Sequence, residues 1–418
     1  MSLCKPLSRS ILYQMNTYLI IADDFTGSND SALELAHRGL STIIGFSSPK
    51  GTVDSYVLDT ESRNREGDEA YRMTKALIKD LDIDSYDIVL KKIDSTLRGN
   101  ILEEIRAIDE KMNSDLILVA PAFSQMGRTC VGGTVFVNSV KLLDTEFAHD
   151  PLKPVTEDNL ITLFASEYST IHLSVDEIRS KAFPLIKDVQ VIVCDAEHEA
   201  DLFETVKWAR GLDKRILYVG SAGLAGALIQ YDRPKQPALA ILASLSKASR
   251  AQLDYAKSRG VAILAVDVLS ILKGGDFTPI IDQGVQILQG GEDLILTLSS
   301  ALDRSVFQQS IEVGKALGLK DAVVGTMIKD CLSKVSLEII KASGVKNLFL
   351  SGGETAFGLM QMMGINEVKI IGEVDIGIPI TLVLDGPYQG MKIVTKAGGF
   401  GKEDALTYSL RRLEERQL

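Results

Sequence analysis

Acids, cations and hydroxyls crowd three short stretches of this chain, each placed just after an apolar run. Asp23-Asp24-Phe25-Thr26-Gly27 directly follows Tyr18-Leu-Ile-Ile-Ala22. One carboxylate of the pair could orient or deprotonate a hydroxyl while the other holds a metal or caps a helix. Capping alone, which Asp and Thr both favour, would also explain it. The second stretch is Lys91-Lys92-Ile93-Asp94-Ser95-Thr96-Leu97-Arg98-Gly99-Asn100. Amines and a guanidinium at a strand end suit a carboxylate, which the arginine fork can bind through two bonds. Asp94 and the hydroxyls of Ser95 and Thr96 suit hydroxyl groups. A solvated strand end with a capping Ser or Thr is the plain alternative. In the third stretch, Asp59 to Arg65, Arg63 offers a second anion contact on residue type alone.

Two glycine-rich stretches suit a different ligand. Ser351-Gly352-Gly353-Glu354-Thr355 and Lys396-Ala397-Gly398-Gly399-Phe400-Gly401 each follow an apolar run. Glycine lets the backbone approach a phosphate, and a helix start adds N–H donors and a positive dipole end. Two such loops in one half of the chain point to a nucleotide site. It is not a P-loop, because Glu403 follows Gly401-Lys402 and the upstream glycine spacing fails. Nor do Gly398-Gly399-Phe400-Gly401 make a G-x-G-x-x-G fingerprint.

These loops need a frame that sets them side by side, and the apolar pattern supplies one. Tyr18–Ala22 reads as a buried parallel strand, followed by a helical pattern at Ala32, Leu33, Leu35 and Ala36 closed by Gly39, and then by a strand Thr42–Phe46. That is one βαβ unit. Further strands are expected at Ser55–Leu58, Asp87–Leu90, Leu116–Ala120, Val189–Val193 and Ile216–Val219, with amphipathic helices between most of them. A second series is expected at Ala238–Ala243, Val261–Val266, Leu294–Leu298, Asn347–Leu350 and Lys392–Thr395. The alternation argues for an α/β fold of two domains, each a mostly parallel sheet flanked by helices. Ligands of such sheets bind at the carboxyl ends of the strands, where the polar clusters fall. Residues 121–154, rich in Gly, Thr and Pro, read as a long ordered loop with room for a hairpin. Tyr231 to Pro237, with two prolines and three charges, is the expected boundary, giving domains 15–230 and 238–418.

Composition narrows the partners. The 418 residues carry a net charge of -11 and no long basic block, which argues against nucleic acid. No apolar run reaches the ~20 residues of a membrane span. Four cysteines without a CxxC pair and four scattered histidines suggest reduced thiols in a cytoplasmic protein and no protein-built metal site. Met15 is a candidate start. The sequence leaves oligomeric state open, an oligomer included.

Taken in order, the motifs resemble the four-carbon acid sugar kinase family. The stretches that carry the resemblance are Ala22-Asp-Asp-Phe-Thr-Gly27 with Asp30, Lys91 to Asn100, Ala120-Pro-Ala-Phe123 with Gly127-Arg128-Thr129, Val219-Gly-Ser-Ala-Gly-Leu224, Ser351 to Thr355, and Thr395 to Gly401. The resemblance implies ATP-dependent phosphorylation of a small sugar acid such as threonate or erythronate, at the 4-hydroxyl, in the cleft between the domains. It further implies a first domain that binds the acid and a second that binds ATP, with Mg²⁺ carried by the nucleotide. Asp23, Arg63, Lys91, Lys92, Ile93, Asp94, Ser95 and Arg98 then look like substrate contacts. Ser244, Gly352, Gly353, Glu354, Thr355, Gly398 and Gly399 look like nucleotide contacts. The proton acceptor would be Asp24, or else Asp23 or Asp94. Three positions depart from the pattern: Ala243 before Ser244 where Gly is expected, Glu354 where Asp is commoner, and Ala397 where Ser is expected. A sugar-acid sensor without turnover, or another phosphate-handling enzyme of sugar acids, fits the strand-end acids and cations too. The paired glycine loops favour the kinase over the sensor.

Overall fold

A computed structural model describes residues 16–49, 51, 53–244 and 246–414. Cys4 and Met15 lie outside the described residues. The chain divides into two compact units, with the break between Arg233 and Pro234.

The first unit is built on eight strands in the order Thr42–Gly45, Ser55–Asp59, Tyr18–Ala22, Ile88–Lys92, Ile216–Gly220, Leu116–Ala120, Val191–Cys194, Thr170–Leu173. Every neighbouring pair is parallel. All five residues are buried in Tyr18–Ala22, Ser55–Asp59, Ile88–Lys92, Leu116–Ala120 and Ile216–Gly220. Full burial follows from having helices on both faces, and it is why these strands read as unbroken apolar runs rather than alternating ones. One face packs Ile20, Leu90, Leu118 and Tyr218 against Leu35 and Leu228, and the other packs Leu19, Val89, Ile117 and Leu217 against Ile105 and Ile108.

Residues 121–154 contain the hairpin for which the sequence left room, Arg128–Val131 with Thr134–Val137, extended by a third antiparallel strand, Val140–Lys141, and by short helical turns. One feature of this unit departs from the sequence expectation. Thr170–Leu173 forms an additional edge strand, mostly half-buried and so without a continuous apolar signal.

The second unit carries seven strands in the order Ala262–Val266, Leu294–Leu298, Ala238–Leu242, Asn347–Ser351, Lys392–Lys396, Ile378–Val383, Val368–Asp375. The first five are mutually parallel. The last two are antiparallel and were not foreseen. Val368–Asp375 is the sheet edge, with Ile370 70% exposed and no residue fully buried, so no buried run announces it; Ile378–Val383 beside it is largely buried but interrupted by Pro379.

Candidate active site

Because the strands of the first unit are parallel, their carboxyl ends share one edge, and the polar clusters meet there. Asp24 caps the helix Phe25–His37, its Oδ1 accepting from the Gly27 N–H at 2.9 Å. The capping reading and a place at the site therefore hold together for this residue. Arg63 reaches across from the neighbouring strand end. Its Nε and Nη2 donate to Asp23 at 2.9 Å each, and its Nη1 and Nη2 donate to Asp24 at 2.6 and 2.7 Å. Burial acts to lower the Arg63 pKa, but its bonds to Asp23 and the charges around it outweigh that and raise it. One guanidinium thus aligns two carboxylates.

Glycines make room for this arrangement. Gly99, at φ +114°, lies where a Cβ would come within 2.7 Å of Asp23 Oδ2. A Cβ on Gly27 would meet Asp24 Oδ1 at 2.6 Å and Lys92 Nζ at 3.0 Å. Side chains at either position would displace the charged groups.

Lys92 is 4% exposed and donates to the Ile93 carbonyl at 3.0 Å. Desolvation pushes its amine pKa down, against the pull of Asp23 and Asp94. Asp94 accepts from Arg98 Nε at 2.7 Å and Thr96 Oγ1 at 2.5 Å. Burial acts to raise its carboxyl pKa, but the Arg98 bond, the Arg63 charge and Thr96 outweigh it and hold the group below the usual carboxylate range. Arg98 in turn reaches Asp150 at 3.2 Å and lies over the Phe147 ring. Asp24, Arg63, Lys92, Asp94, Ser95 and Arg98 all line one cavity of about 370 Å³.

Two expected contacts are not there. Lys91 faces the other side of the sheet, its Nζ 2.5 Å from Glu104 Oε2 and both side chains 1% exposed. Successive strand residues point to opposite faces, so one of two adjacent lysines must miss the site. Glu104 Oε1 accepts from Ser62, which bonds Thr60, completing a buried polar chain behind the sheet. The Ile93 side chain belongs to the hydrophobic core, leaving only its backbone near the cavity.

The cavity also takes residues to which no role was assigned. Thr26 and Asp30 come from the first helix, Phe123, Met126 and Arg128 from the segment after Leu116–Ala120, and Ser221 from the end of Ile216–Gly220. Ser221 caps the following helix and donates to the Ala122 carbonyl at 2.9 Å. Most of these residues sit inside the motif stretches, which was the available signal.

In the second unit, Ser244, Gly352 and Gly398 follow three adjacent strands, Ala238–Leu242, Asn347–Ser351 and Lys392–Lys396. The glycine loop after the last of these is held from inside. Lys396, 2% exposed, donates to the carbonyls of Ala397, Gly398 and Phe400 at 3.2, 3.3 and 3.1 Å. Burial pushes its amine pKa down. Gln252 donates to the carbonyls of Phe400, Gly401 and Lys402, and Ser249 to that of Gly398. In a trans peptide the N–H points opposite to its C=O, so the amides of Gly398 and Gly399 face away from Lys396.

Gly398 has no space for a side chain, since a Cβ would come within 2.5 Å of Ser244 Oγ. A Cβ at Gly353 or Gly399 would meet nothing within 4 Å. Gly352, at φ +109°, opens the helix Gly353–Met362, and Thr355 is buried in its first turn. Glu354 points outward, its side chain 88% exposed and paired with Lys329 at 3.1 Å. Among the described residues, no three His, Cys, Asp or Glu side chains form a metal cage, and no helix is long and apolar enough to cross a membrane.

Comparison with known proteins agrees with this layout. Residues 18–228 match the family model of a sugar-binding N-terminal domain, and residues 239–406 that of a nucleotide-binding C-terminal domain. The chain is 31% identical to D-threonate kinase of Salmonella typhimurium, over 95% of this chain and 98% of that one. It is 26% identical to 3-oxo-tetronate kinase of Pseudomonas savastanoi, over 94% and 96%, and 25% identical to D-erythronate kinase of Heliobacterium modesticaldum, over 94% and 95%. The fold is shared with a domain of unknown function from Bordetella bronchiseptica, described as a citrate-bound, domain-swapped dimer. That match has a TM-score of 0.62 at 24% identity, over 96% of this chain and 99% of that one. With both family models matched in order along it, this chain belongs to the four-carbon acid sugar kinase family and is a phosphotransferase with an alcohol group as acceptor.

Proposed function

We propose that the chain transfers the γ-phosphoryl group of ATP to the 4-hydroxyl of a four-carbon sugar acid, D-threonate or D-erythronate. The observation that carries this reading is the cavity of about 370 Å³ in the first unit, where Asp24 and Asp94 stand among Lys92, Arg63 and Arg98. A small polyhydroxy acid needs that mixture: cations for its carboxylate, carboxylates for its hydroxyls. The relatives named for D-threonate and D-erythronate favour these two acids.

Asp24 is the proton acceptor in this account. Arg63 holds both oxygens of Asp23 and of Asp24 alike, but Asp24 lines the cavity with its side chain 22% exposed, whereas Asp23 is 3% exposed and does not line it. The depressed pKa of Asp94 makes that residue a weak base, suited to fixing Arg98 and accepting a substrate hydroxyl. A strong base is not required, since phosphoryl transfer draws mostly on positioning and charge neutralisation.

The outward amides of Gly398 and Gly399, and the helix start at Gly352 and Gly353, would hold the phosphates. The open space at Gly353 and Gly399 fits close approach of a phosphate to the backbone. Mg²⁺ bound to the triphosphate would neutralise the charge that develops on transfer. The free thiols Cys130, Cys194 and Cys331 fit a cytoplasmic enzyme supplied with ATP.

³¹P NMR of incubations with Mg·ATP and each acid tests the reading. A phosphomonoester coupled to the C4 methylene protons supports it, whereas an acyl phosphate or no product with any acid overturns it.

A further inference from the structure

Four cationic side chains line the cavity of the first unit: Arg63, Lys92, Arg98 and Arg128. They are not equally available. Arg63 is bonded to Asp23 and Asp24, and Arg98 to Asp94 and Asp150. A substrate carboxylate on either would compete with acids already in place. Lys92 donates only to a backbone carbonyl among the described residues.

Arg128 stands apart. Its Nη1 donates to the Met126 carbonyl, and its Nε is buried with no hydrogen-bond partner among the described residues. Unlike Arg63 and Arg98, it lines the cavity without an ion pair to any carboxylate among the described residues, and a planar carboxylate is the partner its fork fits. Its backbone is pinned. Arg128 and Phe123 exchange both N–H···O=C bonds at 2.9 and 3.1 Å, and Arg128 pairs with Val137 across the antiparallel sheet. The side chain therefore rises from a fixed base.

We propose that Arg128 is the specificity-determining residue that receives the substrate carboxylate, with Lys92 as the second cation. Arg63 and Arg98 are then positioning residues, holding Asp23, Asp24 and Asp94 for the hydroxyls. The inference rests on the kinase reading above and names the anchor that makes the site select an acid.

The test compares kcat/KM for D-threonate or D-erythronate with that for threitol or erythritol, which keep the hydroxyls and lack the carboxylate. Wild type, Arg128→Gln, Arg128→Lys and Arg98→Gln are measured together with the acid-induced rise in Tm without ATP. Loss of a charged hydrogen bond is expected to raise KM for the acid in Arg128→Gln by about 10- to 100-fold, with KM for ATP unchanged. The acid-over-polyol preference falls by the same factor, and the acid-induced Tm rise disappears. Arg128→Lys, which keeps charge without the fork, falls between and decides the matter if Arg128→Gln does not fold. Normal acid preference in folded Arg128→Gln and Arg128→Lys, with the loss moved to Arg98→Gln, overturns the inference while leaving the kinase reading intact. A wild type silent on every acid overturns both.

Discussion

Lys91 and Lys92 are adjacent in sequence and stand on opposite faces of one sheet: Lys91 is paired with Glu104 in the buried interior, and Lys92 lines the candidate active site. Their substitutions should therefore fail in different ways. Lys91→Met leaves Glu104 buried without a counter-charge, a change that typically costs about 3–5 kcal/mol. Thermal denaturation should show a large fall in Tm for Lys91→Met, partly restored by adding Glu104→Gln. Lys92→Met should lose less Tm and instead raise KM for the acid. Equal Tm losses with normal KM values would contradict the assignment of faces.

Arg63 bridges two carboxylates with a geometry lysine cannot reproduce. Arg63→Lys keeps the charge and loses the fork. We expect kcat to fall about 10- to 100-fold, on the scale of one or two lost charge-assisted hydrogen bonds. Steady-state kinetics with a far-UV spectrum as the fold control checks this, and wild-type kcat would show that the alignment of Asp23 and Asp24 is immaterial.

The glycines separate packing from ligand approach. Gly99→Ala must adopt φ +114° and push Asp23 aside, so it should lose stability by about 1–3 kcal/mol together with activity. Gly353→Ala meets no protein atom and sits in the first turn of a helix, so its Tm should hold or rise. Its KM for ATP should nevertheless increase, because a methyl group would occupy space a phosphate needs. Differential scanning fluorimetry with and without Mg·ATP reads both effects.

Stability should depend on pH through His172. Its Nε2 lies 2.9 Å from Asp195 Oδ2, and Asp195 also accepts the N–H groups of Gly132 and Gly133 at 2.8 and 2.9 Å. The Asp195 bond raises the histidine pKa over the opposing effect of burial. A raised folded-state pKa means the contribution is fully present below the ordinary histidine value of about 6.5 and is lost as pH climbs through the folded value. Tm of His172→Gln relative to wild type should show its larger deficit at pH 6 and a smaller one at pH 8.5. A deficit that grows with pH would reverse the sign and contradict the pairing.

Much of this was legible from the sequence because buried parallel strands announce themselves as continuous apolar runs ending in polar residues. Tyr18–Ala22, Leu116–Ala120 and Asn347–Ser351 are fully buried, and their ends carry Asp23, the cavity segment and the Gly352 loop. Thr170–Leu173 and Val368–Asp375 lie at sheet edges, the first mostly half-buried and the second with exposed residues, and Ile378–Val383 carries Pro379, so no unbroken buried run marks them. The alternation of strand side chains was enough to exclude one of Lys91 and Lys92, but choosing which required the position of Glu104. Arg128 lay within a motif stretch, but the role proposed for it was out of reach: it depends on what Arg63 and Arg98 are already bonded to, and pairings made across 40 or 52 residues cannot be read from spacing.

The central claim is that the first unit's cavity presents a sugar-acid hydroxyl to ATP with Asp24 as acceptor. Its most direct test is the initial rate of ADP release with Mg·ATP, with and without each four-carbon acid, for wild type and Asp24→Asn. The account predicts acid-dependent release for wild type with D-threonate or D-erythronate, and a fall of about 10²- to 10⁴-fold in folded Asp24→Asn. ADP release that ignores the acid, or near-normal turnover by Asp24→Asn, would contradict it.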